Sequence, residues 1–141
     1  MILKKALSHL PKILACLFSF AAHSAPITIT QVSNLNFGTA LWGDRAKTIR
    51  AGNSDDAENA SFLITGDARS RFNVVLPNQI WMNHVSRPDR ILINNFESRP
   101  NNLRMGRDGQ LVLLIGATRS AIPTTISAGS YAGTFTITVV Y

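Results

Sequence analysis

His84 stands three residues after Trp81 and five before Asp89, a set that could act as a general base with a carboxylate to orient it. A base needs a nucleophile to activate, and neither a Gly-x-Ser-x-Gly elbow nor a Ser-x-x-Lys pair occurs in the chain. No catalytic residue is assigned on this basis, and the chain reads as a non-enzyme. Asn53, Asp55, Asp56 and Glu58 crowd one polar stretch and could offer oxygens to Ca²⁺, but the spacing fits no EF-hand loop and suits a solvated turn. Cys16 is the only cysteine and His84 the only histidine beyond residue 24, which leaves no donors there for an ordinary zinc site or a Cys–His pair. No metal or cofactor is expected. Trp42 and Trp81 could stack on sugar rings or pack in a core or its rim. Asn59-Ala60-Ser61 is a formal glycosylation triplet of a kind that also arises by chance.

What holds these residues depends on where the folded chain begins. Lys4, Lys5 and Lys12 precede an uncharged apolar run, Ile13 to Ala22, which ends at His23, Ser24, Ala25 and Pro26. A basic start, a short apolar stretch and a small-residue site form the pattern of a secretory signal peptide. Ten apolar residues are too few for a spanning helix, which needs about 20, so the segment is an address and no transmembrane anchor is expected. Cleavage after Ser24 sets Ala22 and Ser24 at the two small-residue positions, giving residues 1–24 as signal and 25–141 as the domain. Ile13-Leu14-Ala15-Cys16 loosely resembles a lipoprotein box, but the apolar run mostly follows Cys16 and Lys12 sits just ahead of it.

The chain of 141 residues suits one domain with a core of its own and is too short for a large multidomain enzyme. Its formal charge is +6, which falls to +3 without Lys4, Lys5 and Lys12. Ten of the eleven remaining cations are Arg, whose forked guanidinium suits carboxylates and phosphates such as anionic glycans or lipid headgroups. Nucleic acid binding has neither motif nor compartment. An exported domain without a disulfide must be held by its core or by a partner.

From Ala25 onward the apolar period is two. Ile27 to Thr30 and Leu35 to Gly38 alternate; Phe62 to Thr65 ends at Gly66-Asp67; Phe72, Val74 and Leu76 share a face up to Pro77. Ile91 to Ile93 and Leu111 to Ile115 follow, the latter apolar on both faces and so expected to be covered on both, by the domain's own loops or by another chain. Gly106-Arg107-Asp108-Gly109, between Leu103 to Met105 and Gln110-Leu111, reads as a hairpin loop because Asp-Gly supplies positive φ. No amphipathic helix of ten residues occurs. Short strands between turn signals predict an all-β domain, an antiparallel β-sandwich.

The closing stretch alternates most strictly, with Phe135, Ile137, Val139 and Tyr141 on one face and Thr134, Thr136 and Thr138 on the other. Burying each apolar member of that row stabilises by about 1.5 to 3 kcal/mol. Either the domain's own strands cover it, or a strand from another chain adds by main-chain pairing.

Three segments, Ile27 to Thr30 with Leu35 to Thr39, Phe62 to Gly66 with Phe72 to Pro77, and Ala128 to Tyr141, resemble the bacterial family named domain of unknown function 4402. The chain also looks like spore coat protein U type pilin domains and, more distantly, chaperone-usher fimbrial subunits, whose last strand carries a glycine near its start and a tyrosine near its end. Gly129 and Tyr141 fit that pattern. The resemblance implies an immunoglobulin-like sandwich, exported to the periplasm and cell surface, that pairs with a periplasmic chaperone or a neighbouring subunit by β-strand addition. It implies that Gly129, Tyr131, Phe135, Ile137, Val139 and Tyr141 form the partner-strand site. Two departures stand out: only Ala25 and Pro26 precede Ile27, which leaves no free donor segment if Ile27 begins the first strand, and the cysteines common in spore coat domains are missing after residue 24. These favour a terminal or accessory subunit, with a self-sufficient secreted sandwich binding an anionic surface or glycan as the alternative.

Overall fold

Apolar residues at strand spacing make strands only where neighbours cover them, and residues 110–119, apolar on both faces, form a strand flanked on both edges. A computed structural model describes residues 24–52 and 57–141. The expected signal segment thus lies, apart from Ser24, outside the described residues. Among these residues the order is β1 (Thr28–Ser33), β2 (Lys47–Ile49), β3 (Ala60–Thr65), β4 (Asn73–Val75), β5 (Gln79–His84), β6 (Arg90–Arg99), β7 (Gln110–Arg119), β8 (Tyr131–Ala132) and β9 (Thr138–Val140). The class is all-β, as expected. No helix among the described residues is long and apolar enough to cross a membrane.

β7 carries β6 on one edge, and on the other β3 along Gln110 to Ile115, then β2 along Ala117 to Arg119. Gly116 marks the handover between β3 and β2. A Cβ there would overlap the Ile49 carbonyl and the Ala51 amide, so only glycine lets β2 approach this closely. The large sheet runs β1-β3-β7-β6-β5-β8, with β2 beside β7, and β4 pairs with β9 in a second, two-stranded sheet. Every pairing is antiparallel.

The period of two fixes which side chains point inward. Ala60, Phe62 and Ile64 of β3 and Leu113 and Ile115 of β7 join Phe72 and Met105 in one buried cluster, against which Val74 of β4 and Val139 of β9 pack. A second cluster of Phe37, Ile49, Ile93 and Ala117 fills the other end, with Ile80 and Met82 of β5 against it. The small sheet is therefore held onto the large one by apolar contact.

Three sequence expectations change in detail. On the far face of β7, Leu114 is buried while Val112 remains 49% exposed, so cover there is partial. The Gly106 to Gly109 turn closes as expected, with Gly109 at φ 73 and the Gly106 amide donating to the Gln110 carbonyl, but Arg104 forms only a single bridge to Arg71 in place of a full strand. β1 alternates yet stays exposed from Thr28 to Val32, because it lies at the sheet edge with only its ladder to β3.

Gly116→Val forces β2 off the β7 edge and should cost about 1 to 3 kcal/mol, as overpacking does. Val112→Thr on the open face should change stability by less than about 0.5 kcal/mol. Urea denaturation of the two variants beside the parent measures both.

Candidate partner-strand interface

The last fifteen residues leave one sheet and enter the other. They begin in a loop anchored by charge: Asp89 accepts the Ser127 amide at 2.9 Å, and hydrogen bonds from Ser127, through its hydroxyl and then its amide, hold the Asp89 carboxyl below the usual range. His84 accepts the Ser86 amide at Nδ1, 3.0 Å, which leaves Nε2 to donate to the Ala128 carbonyl at 3.1 Å. Both ring nitrogens are engaged, and Asp89 meets the Ser127 amide instead of the imidazole, so the base-and-orienter arrangement is not assembled. Gly129, at φ 146, passes so close to His84 that any Cβ would overlap Nε2. Tyr131 then stacks edge-on against the His84 ring, 5.0 Å between centroids, and donates its hydroxyl to the Ser127 carbonyl at 2.6 Å. Burial, and then the neighbouring Asp89 charge, push the Tyr131 phenol up.

Tyr131 and Ala132 pair with His84 and Asn83 on the outer edge of β5. Gly133 crosses directly over the β5 backbone, where a Cβ would press on the Trp81 carbonyl at 2.7 Å. Residues 133–137 belong to neither ladder, and the chain pairs again only at Thr138 to Val140, with β4. The continuous closing strand expected from the alternation is thus two short pieces joined by an extended crossing. Its faces hold nonetheless: Phe135, Ile137 and Val139 are half-buried against the core cluster, while Thr134, Thr136 and Thr138 are exposed. The Phe135 ring meets Phe62 edge-on at 6.2 Å and leans on Phe96 at 5.3 Å. Among the described residues, β9 has a partner strand on one edge only. From Gly133 to Val140 the free backbone would extend roughly 26 Å at strand spacing.

At the far end Tyr141 leaves the half-buried row, 51% exposed, and its hydroxyl accepts the Asp67 amide at 2.9 Å and donates to the Ala25 carbonyl at 3.1 Å. The six residues expected to share a site therefore occupy three places: Gly129 and Tyr131 at the start, Phe135, Ile137 and Val139 over the core, and Tyr141 at the tip.

Beside the start of the ribbon a cleft of about 610 Å³ opens between Phe37 to Trp42 and Ser127 to Tyr131. Trp42, 62% exposed, forms its lip and donates Nε1 to the Ile126 carbonyl at 2.9 Å. Arg119 lines the interior and is 4% exposed. Its terminal nitrogens donate to the Ser120 and Arg45 carbonyls, both at 3.1 Å; Nε has no partner, and no carboxylate among the described residues pairs with the charge. Sequence reasoning missed Arg119, although the phase of Leu113, Ile115 and Ala117 already points it inward.

The remaining candidates are dispersed. Trp81 lies on the outer face of β5 beneath the Arg90 guanidinium, 4.2 Å away. Glu58 pairs with Lys47 at 2.8 Å, and Asn53, Asp55 and Asp56 lie outside the described residues. Asn59 and Ser61 are both fully buried, which closes the glycosylation triplet to a glycan in the folded state.

The family model described as Domain of unknown function (DUF4402) matches residues 27–141. The chain belongs to this family. The DUF4402 match takes in the nine strands of the described residues, the ribbon and the cleft. No curated protein and no solved structure matches the chain.

Because the Asp89 carboxyl is lowered in the folded state, the stability it contributes is present above its unfolded value of about 3.9 and is lost as pH falls through the folded value. Protection of the Ser127 amide, relative to its intrinsic exchange rate at each pH, should therefore fall as pH drops below about 4. In Asp89→Asn, whose neutral amide oxygen is a weaker acceptor, protection should be lower at neutral pH and that acid step should be gone; hydrogen exchange against pH measures this.

Proposed function

We propose that this chain is an exported, pilin-like structural or surface-assembly subunit whose C-terminal ribbon accepts a β-strand from a periplasmic chaperone or a neighbouring subunit. The observation that carries this reading is the ribbon itself. It offers unpaired backbone along residues 133–137 and a free edge on β9, directly above half-buried Phe135, Ile137 and Val139. Backbone donors and acceptors along a sheet edge are the template for strand addition, and the alternating row beneath supplies side-chain selectivity.

Strand order supports an incomplete immunoglobulin-like sandwich. In a seven-strand domain of that kind, one sheet is ABED and the other CFG. Here β1-β3-β7-β6 follows A-B-E-D and β4-β9 follows C-F, each in the right chain order, and the place of G beside β9 is open among the described residues. β1 fills the place of A on β3 of its own chain, so the strand left to be supplied is G, beside β9. The basic, apolar, small-residue pattern of residues 1–24 supports export.

Arg119 favours a second reading, a self-sufficient secreted domain that binds an anionic glycan or surface. A buried guanidinium with no carboxylate in a wide cleft is an unbalanced charge that an anionic group would offset.

A synthetic peptide of about nine residues with alternating apolar side chains, long enough for the open edge, should bind the 25–141 chain and raise its melting temperature. A peptide of the same composition without alternation should not. Ile137→Asp should abolish capture or folding, whereas Thr136→Asp, on the exposed face, should keep both; equal tolerance would overturn the assignment of faces. Binding to a sulfated glycan that disappears in Arg119→Met, with peptide capture absent, would favour the second reading.

A further inference from the structure

Ala25, Asp67 and Tyr141 form a closed polar circuit at the tip of the ribbon. The Ala25 backbone nitrogen donates to Asp67 Oδ1 at 2.8 Å, the Ala25 carbonyl accepts the Tyr141 hydroxyl at 3.1 Å, and that hydroxyl accepts the Asp67 amide at 2.9 Å. These groups come from the residues before β1, the turn after β3 and the residue after β9, so three distant segments converge on one residue. Gly66 leaves room for the circuit, since a Cβ there would overlap the Tyr141 hydroxyl. Pro26 biases Ala25 towards extended backbone, which fixes the directions of its nitrogen and carbonyl.

We propose that this circuit is a receptor for the chain's own processed N-terminus: the α-ammonium of Ala25 docks on the Asp67 carboxylate and latches the processed end to Tyr141, the residue after β9. The inference rests on the export part of the proposed function and adds the site of processing. Hydrolysis of the Ser24–Ala25 peptide bond by a signal-processing endopeptidase consumes one water, leaving a carboxylate on Ser24 and an ammonium on Ala25. The neutral amide that donates to Asp67 becomes a cation in the same place, and a hydrogen bond becomes a charge-assisted one. Asp67 is half-buried, and the ammonium needs no long side chain to be ordered, which removes the entropic cost that weakens most surface ion pairs. A chain latched in this way holds the residues ahead of β1 against its own fold.

The test uses the 25–141 chain released from a fusion so that Ala25 carries a free amine, beside the same chain acetylated at that amine. Acetylation keeps an N–H for Asp67 and removes only the charge. The free-amine form should melt roughly 2 to 5 °C higher at low salt, the scale of one well-placed ion pair in a domain this size. That difference should shrink in 1 M NaCl and vanish in Asp67→Asn. Tyr141→Phe should lower both forms equally. Identical melting of the two forms, or a difference that persists in Asp67→Asn, overturns the latch, and so does a secreted chain whose mass places its start anywhere but Ala25. None of these readouts involves strand capture, so the latch can fail while peptide binding succeeds, and the reverse.

Discussion

A chain that leaves one β-ladder for another must pass through residues whose backbone groups pair with neither. In this domain that passage is residues 133–137, between the edge of β5 and the edge of β4. Its apolar side chains are anchored to the core by Phe135, Ile137 and Val139, so the crossing cannot lift away to find water on both sides. The result is backbone held in an extended, half-buried position with hydrogen-bonding capacity left over. Native proteins seldom leave such capacity without an occupant, because an unpaired strand edge pairs with whatever extended chain it meets.

The rest of the molecule serves to hold that passage in place. β7, paired along both edges, fixes the floor on which Phe62, Leu113 and Ile115 receive the ribbon. At the start, Asp89 and His84 pin the loop through Ser127 and Ala128, and Gly129 permits the approach. At the end, the Tyr141 hydroxyl ties the tip to the turn after β3 and to the residues ahead of β1. Both ends are fixed by polar contacts and the middle by apolar ones. An added strand would therefore meet an ordered edge and would pay little to order it further.

Much of this was legible in the residues, and what was not has physical causes. β3 and β7 announce themselves as apolar runs whose inward rows, Ala60, Phe62 and Ile64 and Leu113, Ile115 and Ala117, are buried, whereas β6 shows only through Ile91 to Ile93, because its pairing with β7 slips between Asn94 and Glu97. β5 hides because Trp81 takes an outward position and rests under Arg90, which blurs the polar face. β1 misleads in the other direction: its alternation says strand but cannot say that an edge position leaves both faces open. The row from Phe135 to Val139 could be read by phase, yet the break between two sheets could not, since it depends on Gly133 passing over the Trp81 carbonyl. Tyr141 was visible as the end of a pattern, but its partners lie 74 and 116 positions away, beyond any local signal. Arg119 was overlooked because a charge is assumed to face water, although its phase on β7 says otherwise.

Amide hydrogen exchange on the isolated 25–141 chain measures the open edge most directly. With the edge free, amides of residues 133–137 exchange orders of magnitude faster than those of β7, whose bonds open only on global unfolding, and they slow when an alternating partner strand is added. Protection of those amides equal to that of β7 in the isolated monomer would mean that the edge is already satisfied, and no strand would have a place to add.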